Sequence, residues 1–196
     1  MTTQFNPLEF HSEDQLLVRM RKTIMALQLI IEKPLPELDL TQMDKSMHKL
    51  AEIAGRNLQS SNPILIALTQ LDNGYSKLKD SFKETINKIY EALKAIYEVI
   101  MQTFKAVVNF IQGLRKRGIT ADIYDYKTAP EYKRADNDFG MYAAKLVEIQ
   151  EEYQKFLNSL KSCNQAFENK SEASLLFFAY KYIADNVKLC PFTVEP

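Results

Sequence analysis

The chain has no tryptophan, only five glycines, two cysteines and two histidines, and its 25 Lys and Arg are matched by 25 Asp and Glu. Each shortage excludes something. Few glycines against many Leu, Ile, Lys, Glu and Ala disfavour strands and favour helices. Cys163 and Cys190 make no disulfide framework and stand in no metal-ligand spacing; they read as two reduced thiols of an intracellular protein. A net charge of zero points neither to nucleic acid nor to a strongly anionic partner, so an electrostatic role has to come from uneven distribution. Glu98 and Lys105 interrupt the most apolar stretch, so no membrane span is expected. The opening MTTQFNPLEFHSEDQ has neither a basic nor an apolar region, so no signal peptide is visible. A soluble, cytoplasmic chain follows, and 196 residues with 46% hydrophobic side chains suffice for one domain with a core.

Catalytic groups are equally scarce. His11 falls in the lead and His48 beside a methionine-rich face, and both read as surface or edge residues. No G-x-G-x-x-G, P-loop, H-E-x-x-H, G-x-S-x-G or C-x-x-C pattern occurs, nor the E-x-x-H pattern of di-iron helices. No enzyme, no cofactor and no metal site is expected.

What is present is periodicity. From Tyr75 to Lys127 the chain repeats every eleven residues: INKIYEALKAI, YEVIMQTFKAV, VNFIQGLRKRG. Ile86, Tyr97, Val108 and Ile119 share one position; Leu78, Ile89, Ile100 and Ile111 a second; Phe82, Leu93 and Phe104 a third. Eleven residues close three turns at about 3.67 per turn, so the repeat predicts a long helix with one fixed apolar face, which needs partners in water. Taken as residues 64–128, with an irregularity at Asn73-Gly74 and a stop at Pro130, it would run roughly 95 Å at ~1.5 Å per residue.

Two further elements flank it. Ser12 with Glu13, Asp14 and Gln15 reads as a helix start, and Leu16, Met20, Ile24, Leu27 and Ile31 continue at helical spacing. Pro34 and Pro36 break or kink this element, and Asp39 or Thr41 caps a second piece whose face carries Met43, Met47, Leu50 and Ala54. QSSNP, 59–63, is a loop. Past Pro130, Phe139, Tyr142, Leu146, Ile149, Tyr153, Phe156, Leu160, Cys163 and Phe167 alternate spacings of 3 and 4, a heptad seam. A nearly all-apolar run, 173–183, should be buried, and LCPFTVEP ends the last helix. The expected organisation is a lead of 1–11, a helical domain over 12–188 and a tail of 189–196.

Lys83, Lys94, Lys105, Lys116 and Lys127 also fall eleven apart, one stripe about 65° beyond the apolar face. Such a stripe either keeps a half-buried helix soluble or offers a row of cations to an anionic surface. Residues 115–134 hold Arg115, Lys116, Arg117, Lys127, Lys133 and Arg134 against Asp122, Asp125 and Glu131, a local excess of three positive charges in a neutral chain. Near an anionic leaflet each cation contributes about 1 kcal/mol, so dimerisation is needed for firm binding. The aromatics sit on the seams rather than between the cations, which argues against nucleic acid. A helical toxin is a weaker fit, for no Gly/Ala-rich apolar hairpin occurs.

Three long helices with a basic segment between the second and third resemble a BAR domain. The resemblance is carried by NPILIALTQLDNGYSKL (62–78), LRKRGITADIYDYKTA (114–129) and RADNDFGMYAAKLVEIQEEYQKFL (134–157), and spans residues 12–188. Small single-domain chains of this kind occur among microsporidian spore wall proteins. The resemblance implies an all-α antiparallel coiled coil of three long kinked helices, paired as an elongated homodimer peripheral on an anionic phospholipid membrane, in the cytoplasm or a spore wall. By position Arg115, Lys116, Arg117, Lys133 and Arg134 match the tip, and Lys94 and Lys105 the inner face; Lys127 joins them from the basic cluster. Curvature sensing or scaffolding is the implied function. The alternative is a helical structural or interaction module that does not bend membranes, engaging its partner through 173–183.

Overall fold

The computed structural model describes residues 14–56, 63–121, 123–167 and Leu175, with the backbone alone for 53–56 and 63–71. Among these residues the chain is all-α: helices α1 (Gln15–Ile31), α2 (Thr41–Arg56), α3 (Pro63–Lys116) and α4 (Pro130–Ala166), with a short 3-10 helix at Tyr126–Thr128. His11, Ser12, Cys190, the loop before Pro63 and nearly all of 173–183 lie outside the described residues.

Helix α3, of 54 residues, is the eleven-residue repeat made visible. Leu78, Ile89, Ile100 and Ile111 are all buried, as are Ile86, Val108, Phe82 and Phe104, while Tyr97 and Leu93 are half-buried. Lys83, Lys94, Lys105 and Lys116 are all exposed. The helix runs unbroken through Asn73-Gly74, because one interior glycine costs only about 1 kcal/mol.

It ends earlier than the sequence reading placed it, and for a different reason. Gly118, at φ 70°, adopts the left-handed conformation that closes a helix; its N–H donates to the Arg115 carbonyl (3.0 Å) and that of Ile119 to Leu114 (3.0 Å). Pro130 does not stop α3 but opens α4, where its missing N–H is not needed. Lys127 therefore lies in the 3-10 turn and is not on the helical lysine stripe. Two glycine substitutions separate backbone from packing here, since a Cβ at Gly113 or Gly118 meets nothing within 4 Å. Gly118→Ala should lower stability by about 1 kcal/mol through left-handed strain alone, whereas Gly113→Ala, inside the helix, should raise it by about 0.5–1 kcal/mol. Urea midpoints at constant slope would measure both.

The first sequence element is two helices. α1 closes at Ile31, Glu32 caps it through its N–H to the Gln28 carbonyl (3.0 Å), and Pro34 and Pro36 keep the backbone out of helix until Thr41. The start of α1 also moves: Asp14, extended at φ −62°, ψ 122°, is the N-cap, its carboxylate accepting from the Leu17 N–H at 3.1 Å.

The described residues fall into two compact units, one drawn from Met1–Pro34 and Ile89–Glu151, the other from Leu35–Lys88 and Glu152–Pro196. In the first, Leu16, Leu17, Met20, Ile24 and Leu27 of α1 pack with Ile100, Phe104 and Val108 of α3 and with Tyr132, Ala135 and Phe139 of α4. In the second, Met43 and Leu50 of α2, Tyr75, Leu78 and Phe82 of α3, and Phe156, Leu160 and Cys163 of α4 are buried. There the Phe82 and Phe156 rings meet edge to face at 6.0 Å, and the Cys163 thiol lies 3.7 Å from the Met43 sulfur. Every seam position of α4 from Phe139 to Cys163, and Phe167 beyond it, is buried or half-buried.

Candidate functional site

The six clustered cations lie within the first unit, from the end of α3 to the first turns of α4. Arg115 and Lys116 occupy the last turn of α3, where cations offset the partial negative charge of the unpaired carbonyls. Arg117 follows the helix and donates from Nε to the Gly113 carbonyl at 3.2 Å. Lys127 is in the 3-10 helix, which Asp125 caps by accepting from the Lys127 N–H at 3.2 Å. Lys133 and Arg134 stand near the N-terminus of α4, where the helix dipole favours acids rather than bases. All six are exposed.

The frame that holds this segment was not legible from spacing. Asp14, 6% exposed, accepts from the Tyr126 hydroxyl on Oδ2 (2.9 Å) and from the Tyr132 hydroxyl on both oxygens (2.9 and 2.8 Å). The Tyr126 and Tyr132 rings meet at 72° with centroids 5.6 Å apart. One carboxylate thus ties the start of α1 to the α3–α4 connection and to α4. Burial, and next the hydrogen bond to Asp14, raise the Tyr126 phenol from 10.0 to about 12, against the opposing charge of Arg115; the same two causes raise Tyr132. Both phenols therefore stay protonated donors at neutral pH. Five residues along α1, Arg19 pairs with Asp136 of α4 at 3.1 Å and lies over the Phe139 ring.

Beside this network is a cavity of about 270 Å³, lined by Asp14, Leu114, Arg115, Ile119, Tyr124 and Tyr126 among others. The turn that borders it is hydrogen-bonded, with the Ile123 and Tyr124 N–H groups both donating to the Thr120 carbonyl at 3.1 Å. Ile123 is 75% exposed and Tyr124 38%. Sequence reasoning missed this pair, because an isolated isoleucine is assigned to an interior by default.

Lys94 and Lys105 are exposed on α3 but are not part of the cluster. At ~1.5 Å per residue Lys105 is roughly 16 Å from Lys116 along the helix axis and Lys94 roughly 33 Å. Lys94 pairs with Glu91 at 3.3 Å, one turn back on the same helix. His48 is exposed on α2. Among the described residues no group of three or more His, Cys, Asp or Glu is placed to hold a metal, and no helix is long and apolar enough to cross a membrane. The arrangement brings together exposed cations, two phenols bonded to one carboxylate and an exposed apolar turn. No protein-family model, curated protein or solved structure matches the chain.

Proposed function

We propose that this protein is a non-enzymatic helical scaffold that binds anionic membrane surfaces through the α3–α4 connection, in a BAR-like arrangement of three long kinked segments paired as an elongated homodimer that senses or scaffolds curvature. The observation that carries the reading is the placement of Arg115, Lys116, Arg117, Lys127, Lys133 and Arg134, all exposed, on one short segment with a local excess of three charges. Each contributes about 1 kcal/mol near an anionic leaflet, and two copies in a dimer multiply the effect. Lys94 and Lys105 add to a membrane-facing side in this arrangement. Met25, Leu29 and Ile30, exposed on α1, offer apolar surface for a second copy. The same three residues are what favours the other reading, a helical interaction module with a protein partner.

The test is co-sedimentation with phosphatidylserine-containing vesicles. Wild type should pellet, less so as salt rises. Replacing Arg115, Lys116 and Arg117 with Glu removes about 3 kcal/mol of attraction per copy and adds repulsion, so binding should weaken by at least roughly a hundredfold, with helicity by circular dichroism unchanged. Equal pelleting of the two proteins, or none by wild type, rules the reading out. Solution scattering addresses the assembly: an extended dimer is expected, and a monomer would remove that part of the proposal.

A further inference from the structure

We infer that Ile123 and Tyr124 form an apolar anchor that enters the interfacial layer of an anionic bilayer while the surrounding cations hold its headgroups. The inference rests on the membrane reading above and adds to it a contribution that salt does not screen. Scattered exposed apolar residues are ordinary on a protein surface and ask for no explanation alone. Ile123 differs in three respects. At 75% it is more exposed than Leu29 at 64% or Met141 at 58%. Its N–H group and that of Tyr124 are both bonded to the Thr120 carbonyl, while Ile119, four residues earlier, lines the cavity. And it is bracketed in sequence by Arg115, Lys116 and Arg117 on one side and Lys127, Lys133 and Arg134 on the other.

The acids of the segment do not cancel this. Asp125 is turned to capping the 3-10 helix, and Asp122 and Glu131 are already subtracted in the excess of three positive charges. An apolar side chain among cations is the pattern of proteins that lie in a membrane interface, where buried area and attraction to anionic lipid add. A protein pocket is the poorer occupant. Stable protein interfaces bury about 800 Å² per partner, far beyond two side chains of one turn, whereas a bilayer accepts an anchor of any size.

The absence of tryptophan supplies a clean probe, because Ile123→Trp puts the only indole of the chain at the anchor. With the full chain and phosphatidylserine–phosphatidylcholine vesicles, its emission should shift to the blue and be quenched by brominated acyl chains. Val147→Trp, an exposed site on α4, should show neither change. Ile123→Ser, a neutral change, should bind about tenfold more weakly and lose the binding that wild type retains in high salt. An unshifted indole at 123 on vesicles that still pellet the protein, or wild-type binding by Ile123→Ser, overturns the anchor and leaves the charge-based reading standing. Failure of wild type to pellet removes both.

Discussion

Asp14→Ala is expected to destabilise the protein by about 4 kcal/mol, the largest loss from any single change considered. Three hydrogen-bonding roles disappear together. The Leu17 N–H loses its cap, worth about 1 kcal/mol. The Tyr132 hydroxyl, on a residue only 7% exposed, is left without its acceptor at a cost of about 2 kcal/mol, while Tyr126, half-buried, turns in part to water and costs about 1 kcal/mol. Tyr132→Phe alone should cost about 1 kcal/mol, since the carboxylate keeps the Leu17 N–H and Tyr126. The double variant should then be less damaging than the sum, because it removes the orphaned hydroxyl too. Additive losses would show that the bonds do not act as a unit. The same network predicts alkaline sensitivity. A phenol whose pKa is raised on folding stabilises fully below its ordinary value of 10.0, and that contribution is lost as pH rises through the folded value, about 12 for Tyr126. Tyr132 and Tyr75 are displaced in the same direction, Tyr75 by burial and then by its hydrogen bond to Asp44. The urea midpoint should therefore hold steady up to about pH 10 and fall beyond it, less steeply in Tyr126→Phe.

The parts of this fold that could be read in advance are those written as a period. Ile100 and Phe104 at the bottom of the α3 stripe, and Lys94 and Lys105 outside it, are where the eleven-residue spacing puts them, because helix geometry converts spacing directly into a face. Punctuation was read less well. Pro130 is visible as a breaker, but a proline is as compatible with the first turn of a new helix as with the end of an old one, and it is the left-handed Gly118 that closes α3. Asp14 was placed in the first turn rather than at the cap, a displacement within the ordinary play of helix ends. What no local pattern carries is the partner across the fold. Tyr126 and Tyr132 lie 112 and 118 residues from Asp14, so the frame of the candidate site became visible only with tertiary structure. The cations were found by composition and the exposed Ile123 was not, since polarity predicts exposure far better than exposure obeys it.

Helix α2 shows the same dependence in the second unit and gives the other large expectation. Asp39 accepts from the Thr41 N–H (3.2 Å) and hydroxyl (2.8 Å), one residue short of where a local cap serves a helix. The N–H groups of Gln42 and Met43 are bonded instead to Asn164 Oδ1, at 3.0 and 3.1 Å, from α4 more than 120 residues away. Asn164 is itself 9% exposed and Met43 is fully buried, so water does not replace the lost acceptor. Asn164→Ala should cost about 3 kcal/mol: about 2 for the buried Met43 N–H and about 1 for that of Gln42. A 16-residue helix is marginal by itself, so amide exchange at Gln42, Met43 and Asp44 should speed up before the rest of the chain does. Asn164→Asp keeps the acceptor and sets a negative charge at the helix N-terminus, and is expected to stay within about 1 kcal/mol of wild type. Thr41→Ala, at an exposed residue whose hydroxyl donates to Asp39, should change stability by no more than about 0.5 kcal/mol. A large loss at Thr41 with a small one at Asn164 would mean that α2 is capped by its own neighbours, and that the tertiary bond is incidental to it.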